Sequence, residues 1–374
     1  MPSKPQALYV LGQSLWYDNI ERHLLNNDEL EAMIRRGDIY GVTSNPSIFD
    51  KAISESADYD DELRRLAGEG KEPYAIFEDL AVADIRAACD LFAGLYESTN
   101  GGDGFVSIEV HPDLANDTAA TIEQAQHLWD RVARPNLMVK IPGTRAGLPA
   151  IRQSIAAGIN INITLIFSRA RYAEVIDAYL SGLEARVGNS ESIETIASVA
   201  SFFVSRIDSK VDGWLDEIVQ KGGDQAELAS NLKGKVAIAN AVLAYQLFKN
   251  QFDSQRFGDL KAFGAKLQRP LWASTSTKDP AYPDTLYVDE LIGPHTVNTV
   301  PPKTLEAFKD HGNPQFSIEA DVAAAERVLA DLESLGLSLD QATDEIEVEG
   351  VAAFSKSIQE LMESIEEKQA KVAS

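Results

Sequence analysis

Eight short apolar or alternating runs, separated by stretches that mostly have helical spacing, constrain this chain more than any other feature. They occupy residues 15–18, 39–44, 105–110, 137–141, 159–167, 196–204, 270–275 and 296–300. Strands that alternate with helices pair in parallel, and the two economical arrangements are a doubly wound open sheet and a closed barrel. A count of eight favours the barrel, so the expected fold is α/β, a (β/α)8 TIM barrel. Such a barrel needs ~250 residues. In a chain of 374 residues the excess falls in insertions and in the C-terminal stretch 317–374. That stretch reads as additional helices, over 320–335 and 351–371, packed on the barrel. No linker rich in Gly, Ser or Pro divides the chain and no internal repeat is visible, which makes residues 1–374 one domain with a helical C-terminal extension.

Local signals place several helices between the runs. Residues 28–36 begin with Asp28 as the expected N-cap, carry Glu31 three residues later, and stop at Gly37. Helices are also expected over 118–132 and over 146–157, the latter closed by Gly158. Cys89 falls within the helical pattern Phe77, Ala81, Ile85, Ala88, Phe92, Leu95, where a buried, inert thiol is expected. As the single cysteine it forms no intramolecular disulfide. The acidic run 344–349 reads as a solvated turn between the last helices.

Charge narrows the partners. Lys and Arg total 34 against 58 Asp and Glu, a formal charge of −24, and such a field repels polyanions and makes nucleic acid a poor partner. An anionic small molecule would bind only where a few positive side chains are gathered in one pocket. The N-terminal apolar stretch 7–11 is shorter than a signal peptide requires, and no run long enough to span a membrane occurs. A cytoplasmic protein without a membrane partner is expected. His23, His111, His127, His295 and His311 lie on separate segments without metal-ligand spacing. This weakens a zinc-dependent aldolase reading, and with no Walker loop, no G-x-G-x-x-G after a strand and no G-x-S-x-G elbow, nucleotide and serine-hydrolase readings lose their usual support.

In such barrels the site lies at the C-terminal ends of the strands, and three runs end in a charge after an apolar start: Asp18, Glu109 and Lys140. A lysine inside Met138-Val139-Lys140-Ile141-Pro142 is costly to bury as an ammonium, and desolvation favours the neutral amine that a Schiff-base nucleophile requires. Taken singly, Lys140 reads as a strand-end lysine reaching solvent, and Asp18 and Glu109 as helix or loop caps. Taken together, an amine and two separate carboxylates are the set that forms an imine and moves protons in an aldol reaction. In the fifth run Asn160, Asn162 and Thr164 share one face and suit sugar hydroxyls, because they donate and accept hydrogen bonds without adding charge. Asn45 is either a turn residue fixed before Pro46 or a further hydroxyl ligand. Ser201 and Arg206 have the groups to bind phosphate together, although an arginine there also reads as the start of a surface helix. Lys278, after Ala-Ser-Thr-Ser-Thr, is a second candidate of the same kind.

Several strings carry a family likeness. Thr-Ser-Asn-Pro-Ser-Ile-Phe (43–49), Ser-Ile-Glu-Val (107–110), Val-Lys-Ile-Pro-Gly-Thr (139–144) and Asn-Ile-Thr-Leu-Ile-Phe-Ser (162–168) resemble, in order, the strand motifs of transaldolases. The likeness spans roughly residues 12–305, and the strings 272–278 and 296–302 are similar to the longer bacterial branch of that family. The resemblance implies transfer of a three-carbon dihydroxyacetone unit from sedoheptulose 7-phosphate or fructose 6-phosphate to an aldose phosphate, glyceraldehyde 3-phosphate or erythrose 4-phosphate. This is a step of the non-oxidative pentose phosphate pathway and uses no cofactor.

By the same resemblance Lys140 is the imine-forming lysine. Glu109, with Thr164 beside it, works through a water in forming and dehydrating the carbinolamine. Asp18 takes the proton from the C4 hydroxyl, and Asn45 and Asn162 hold the dihydroxyacetone hydroxyls. Ser201, Phe203 and Arg206 match the phosphate pocket with its aromatic neighbour. The chain departs from the pattern after the seventh strand: many transaldolases have a second phosphate-binding arginine there, whereas this chain reads Ser-Thr-Ser-Thr-Lys-Asp. Lys278 or the nearby hydroxyls are the candidates to replace it.

Two other functions compete. Fructose 6-phosphate aldolases are similar to transaldolases and use the same lysine, but release free dihydroxyacetone; Glu109 argues for transfer, because those relatives have glutamine there. A non-catalytic sugar-phosphate-binding barrel is the other, opposed by the expense of keeping buried charges without use. Sugar phosphates are the expected partners, with a monomer or a homodimer as the assembly.

Overall fold

In the computed structural model, which describes residues 2–372, eight parallel strands close into a barrel in sequence order. They are β1 (Gln13–Asp18), β2 (Val42–Thr43), β3 (Val106–Glu109), β4 (Leu137–Pro142), β5 (Ile161–Ile166), β6 (Ser198–Phe203), β7 (Gln268–Ala273) and β8 (Thr296–Val300), with β1 paired to β8 to complete the ring. The expected (β/α)8 architecture is the one found. The run 39–44 yields only a two-residue strand. Gly41, just before it, lies where a Cβ would come within 2.7 Å of the Trp16 ring, so the backbone passes too close to β1 to carry a side chain. Strands β4, β5 and β6 are buried along their whole length, as parallel strands covered by helices must be, so that even Asn162 and Thr164 of β5 and Ser198 and Ser201 of β6 are enclosed.

The helix expected over 118–132 is Thr118–Val132, with the Asp117 carboxylate accepting from Ala120 N at 3.0 Å. The helix expected over 146–157 is Gly147–Ala156, and Gly158 follows at a left-handed φ of 94°. The helix near residue 28 runs Glu29–Arg36 and stops at Gly37 as expected, but Asp28 is not its side-chain cap. Asp28 adopts a left-handed φ of 62° that turns its carboxylate away, and the Asn27 side-chain oxygen accepts from Glu29 N instead. Cys89 is fully buried, and burial pushes its thiol far above the usual range, as an inert core residue requires.

The end of the chain corrects a second expectation. Residues 344–349 are not a turn; they lie inside a single final helix, Leu339–Val372, preceded by Val322–Ser334. Their charges are matched by bases distant in sequence: Lys210 Nζ lies 2.7 Å from Glu345 and 2.6 Å from Glu349, and Arg171 lies 3.7 Å from Glu347. A stripe at helical spacing, Ala342, Ile346, Gly350, Ile358, Leu361 and Ile365, is buried. Farther along, Lys368 pairs with Asp60 at 2.8 Å and donates to the carbonyl of Ile53 at 2.6 Å. Lys210 belongs to the helix after β6 (Ser205–Lys221) and Ile53 to the helix after β2 (Pro46–Glu55). Those strands stand four apart in a ring of eight, on opposite sides, so the final helix spans the C-terminal mouth of the barrel. Among the described residues no helix is long and apolar enough to cross a membrane.

Two buried carboxylates are held by the scaffold. Inside the N-terminal end of the barrel, Asp103 accepts hydrogen bonds from Ser14 Oγ at 2.7 Å, Trp16 Nε1 at 3.0 Å and Arg269 Nη1 at 3.1 Å. The same guanidinium donates to Ser14 Oγ and to the carbonyls of Gly102 and Thr296. Asp208, beside the start of the helix Val236–Phe252, accepts from Ala237 N at 2.7 Å and from the Tyr287 hydroxyl at 2.8 Å. Burial pushes its carboxyl up to about 7 despite those bonds.

Candidate active site

A cavity of about 320 Å³ opens at the C-terminal mouth, and its wall carries Asp18 of β1 and Lys140 of β4, with Glu109 of β3 against Lys140. Strand register explains their meeting: Glu109 is the partner of Lys140 across β3 and β4, and Lys140 the partner of Asn162 across β4 and β5. Residues in register on parallel neighbours send their side chains to one face, so a row of polar groups points into the barrel. Lys140 Nζ lies 3.3 Å from Glu109 Oε2, with the two side chains only 7% and 3% exposed. Nζ also donates to the Ser44 carbonyl at 3.3 Å.

Asp18, at the end of β1, accepts from Thr43 Oγ1 at 2.6 Å, and Thr43 is in turn 2.6 Å from Thr299 Oγ1. Burial pushes the Asp18 carboxyl up, with Lys140 and Thr43 pulling the other way. Burial likewise raises Glu109, opposed by the ammonium of Lys140. Neither Glu109 oxygen has a hydrogen-bond partner among the described residues, and neither does the Thr164 hydroxyl, which faces the cavity. Burying a carboxylate and an ammonium takes several kcal/mol per ion unless hydrogen bonds satisfy both. Here they do not, so the pair contributes little to stability and is suited to chemistry.

The opposite wall gathers positive charge. Arg206, at the start of the helix after β6, sits with its guanidinium carbon 5.2 Å from the Phe203 ring centroid and 5.7 Å from that of Phe354. Among the described residues it makes no ion pair. Burial disfavours its charge, with Glu109 the compensating group. Lys278 donates to Ser276 Oγ at 2.8 Å, and burial followed by the field of Arg206 pushes its ammonium down. Two cations facing one space and repelling each other make a place for an anion. The expectation that positive side chains must be gathered locally in this acidic molecule is met by Lys140, Arg206 and Lys278, all on one cavity.

The asparagines divide by depth. Asn45 does both things left open for it: its side chain caps the helix Pro46–Glu55 by accepting from Ile48 N at 3.0 Å, and it lines the cavity. Asn162 lies just below the cavity wall, donating to Ser107 Oγ at 3.1 Å and accepting from Ser201 Oγ at 2.7 Å, so it orients Ser201. Asn160, deeper still, donates to the carbonyls of Pro135 and Leu137 and accepts from Ala197 N, which ties strand starts together. At the rim two non-glycine residues are left-handed, Leu165 (φ 59°) in a register shift between Ile163 and Ile166, and Ser274 (φ 55°) beside Thr275 and Ser276, which also line the cavity. Such strain persists where surrounding structure fixes it, commonly at functional sites.

Sequence reasoning missed Thr43, Thr299 and Phe354. The two threonines lie inside recognised runs, and their alternation was the available signal. Phe354 comes from the final helix, lines the cavity and places its ring centroid 5.7 Å from Lys140 Nζ; only the apolar stripe of that helix hinted at it.

A lysine paired with one carboxylate and faced by another, at the mouth of a (β/α)8 barrel, defines an aldolase-like class of site. The transaldolase/fructose-6-phosphate aldolase family profile matches residues 15–365, and the chain belongs to this family. It is 48% identical over 362 residues to a transaldolase of Trichodesmium erythraeum (strain IMS101), covering 96% of this chain and 95% of the relative. To a transaldolase of Parafrankia sp. (strain EAN1pec) it is 47% identical over 374 residues, the whole of both chains. A protein named transaldolase 2 from Nostoc sp. (strain PCC 7120) is 48% identical over 362 residues, with the same coverage as the first.

Proposed function

We propose that the chain is a transaldolase working through an imine on Lys140, and that it moves a dihydroxyacetone unit from sedoheptulose 7-phosphate or fructose 6-phosphate to glyceraldehyde 3-phosphate or erythrose 4-phosphate. The observation that carries this reading is Lys140 Nζ 3.3 Å from Glu109, in a cavity that also holds Asp18 and the unpaired Arg206. The Lys140 amine attacks the C2 ketone. Glu109, whose raised affinity for a proton suits it to relay, serves proton transfers as the carbinolamine forms and loses water, with Thr164 beside it. Asp18 takes the proton of the C4 hydroxyl, the C3–C4 bond breaks into the iminium, and the first aldose phosphate leaves. Burial raises the affinity of the Asp18 carboxylate for a proton, which suits it to accept that one. The enamine left on Lys140 then adds to the acceptor aldehyde, and the steps reverse.

Asn45 binds a dihydroxyacetone hydroxyl directly, and Asn162 acts with Ser201 on the other. Ser201, Arg206 and Lys278 receive the phosphate, with Phe203 backing the guanidinium. Lysine at 278 offers a point charge in place of a bidentate fork, so phosphate geometry is read less selectively. Every group comes from one chain, which suits a monomer or a homodimer, and residues 317–374 belong to the same domain as the barrel. A cytoplasmic setting accords with the buried, unpaired Cys89.

The test is to incubate the protein with fructose 6-phosphate, reduce with borohydride and map the added mass by peptide mass spectrometry. A reduced three-carbon adduct on Lys140 is expected. An unmodified protein, under conditions that label a known Schiff-base aldolase, would overturn the assignment.

A further inference from the structure

We propose that Phe354 sets the choice between transfer and hydrolysis, by roofing the Lys140 enamine so that it meets an aldehyde before it meets water. The proposal rests on the imine reading above. The Phe354 ring centroid lies 5.7 Å from Lys140 Nζ and 5.7 Å from the Arg206 guanidinium carbon, so one ring touches both the nucleophile's side and the phosphate's side of the cavity. The final helix is held across the mouth by Lys210, Arg171 and Lys368. Gly350, one turn before Phe354, lets it come this close. A Cβ there would stand 3.1 Å from Leu165 Cδ2, 3.3 Å from Arg206 Nη1 and 3.5 Å from Phe167 Cζ. Leu165 reaches that contact from its left-handed position in the β5 irregularity. Strand distortion, glycine and aromatic ring thus meet at one place above the reacting lysine.

The two fates of the enamine differ in what its C3 attacks. In transfer, C3 bonds to the acceptor aldehyde carbon and the aldehyde oxygen takes the proton held by Asp18. In the leak, C3 takes a proton, water adds to C2 of the resulting iminium, and the C2–N bond breaks to give free dihydroxyacetone and the Lys140 ammonium. Neither path involves oxidation or reduction. In both paths the final iminium is hydrolysed at C2 and the C2–N bond breaks; only the leak needs a solvent proton at C3, and an apolar ring over Lys140 keeps bulk water from the open enamine while leaving the aldehyde the phosphate-side entrance.

The measurement is the ratio of free dihydroxyacetone released without acceptor to dihydroxyacetone transferred with it, for the full chain and three variants. A ratio does not depend on how much of a variant is folded. Phe354→Ala should raise it on the order of tenfold, by losing both the apolar cover and the cation–π contacts. Phe354→Leu should stay close to the parent value. Gly350→Val should raise it as well, by lifting the helix with Phe354 intact. Borohydride trapping on the parent protein separates the two ideas: no imine overturns the imine reading and this proposal with it. A trapped imine with an unchanged ratio in both Phe354→Ala and Gly350→Val overturns the roof alone.

Discussion

Asp103 and Glu109 bracket a single strand, β3, and each meets a cation from elsewhere in the barrel, yet the two ends are built on different principles. Asp103, at the entrance, takes three hydrogen bonds from Ser14, Trp16 and Arg269, and its guanidinium partner is bonded to carbonyls as well. Glu109, at the exit, has a lysine at 3.3 Å and no hydrogen bond on either oxygen. The first carboxylate is knitted into the scaffold; the second keeps its acceptor capacity for something else. A buried ion pair is therefore informative about function in proportion to what it leaves unsatisfied.

Breaking each pair should separate activity from stability. Glu109→Gln is expected to lower kcat by about 10²–10⁴, the usual worth of a positioned acid or base. Its unfolding midpoint in urea should fall less than that of Asp103→Ala, because Glu109 has no hydrogen bond to lose whereas Asp103 has three. Asp103→Ala should do the reverse, losing roughly 3–5 kcal/mol of stability because three buried hydrogen bonds go and the partly buried Arg269 loses its carboxylate partner. Turnover per folded molecule should be retained. Comparable losses of both properties in both variants would erase the distinction.

Asp208 sharpens the comparison, being satisfied by hydrogen bonds but without a cation. Its folded pKa, about 7, lies above the ordinary value of 3.8. The folded state therefore holds this proton more tightly than the unfolded chain, and the group's stabilising contribution is complete below pH ~4 and is lost as pH rises through ~7. Asp208→Asn, which can still accept from Ala237 N and donate to the Tyr287 oxygen, should flatten the fall in stability across that window, read as Tm against pH. The smallest expected effect is at the cationic wall of Arg206 and Lys278. Arg206→Gln should raise KM for phosphorylated sugars by about 10–100-fold, the worth of a charged hydrogen bond of ~1.5–3 kcal/mol. Lys278→Gln should raise it less, and an equal effect would show that the lysine fully replaces a second arginine.

The legible parts of this molecule were those set by local pattern. Buried parallel strands must be apolar and must end in polar residues at the site, so eight runs and the trio Asp18, Glu109 and Lys140 could be read directly. The acidic run 344–349 was misread because what stabilises it as helix is Lys210 and Arg171, more than a hundred residues away. Asp28 failed as a cap because its own backbone turned left-handed, which composition does not reveal. Phe354 was invisible for the first reason: no local spacing tells a helix near the end of a chain that it will lie over residue 140.

That placement also orders events during synthesis. All eight strands leave the ribosome before residues 339–372 do, so the barrel can close and Lys140 can meet Glu109 while the pocket still lacks one wall. A nascent chain in that interval would hold the Lys140 amine open to solvent. Only when the last helix emerges and lies across the mouth does the newborn molecule acquire its guarded interior.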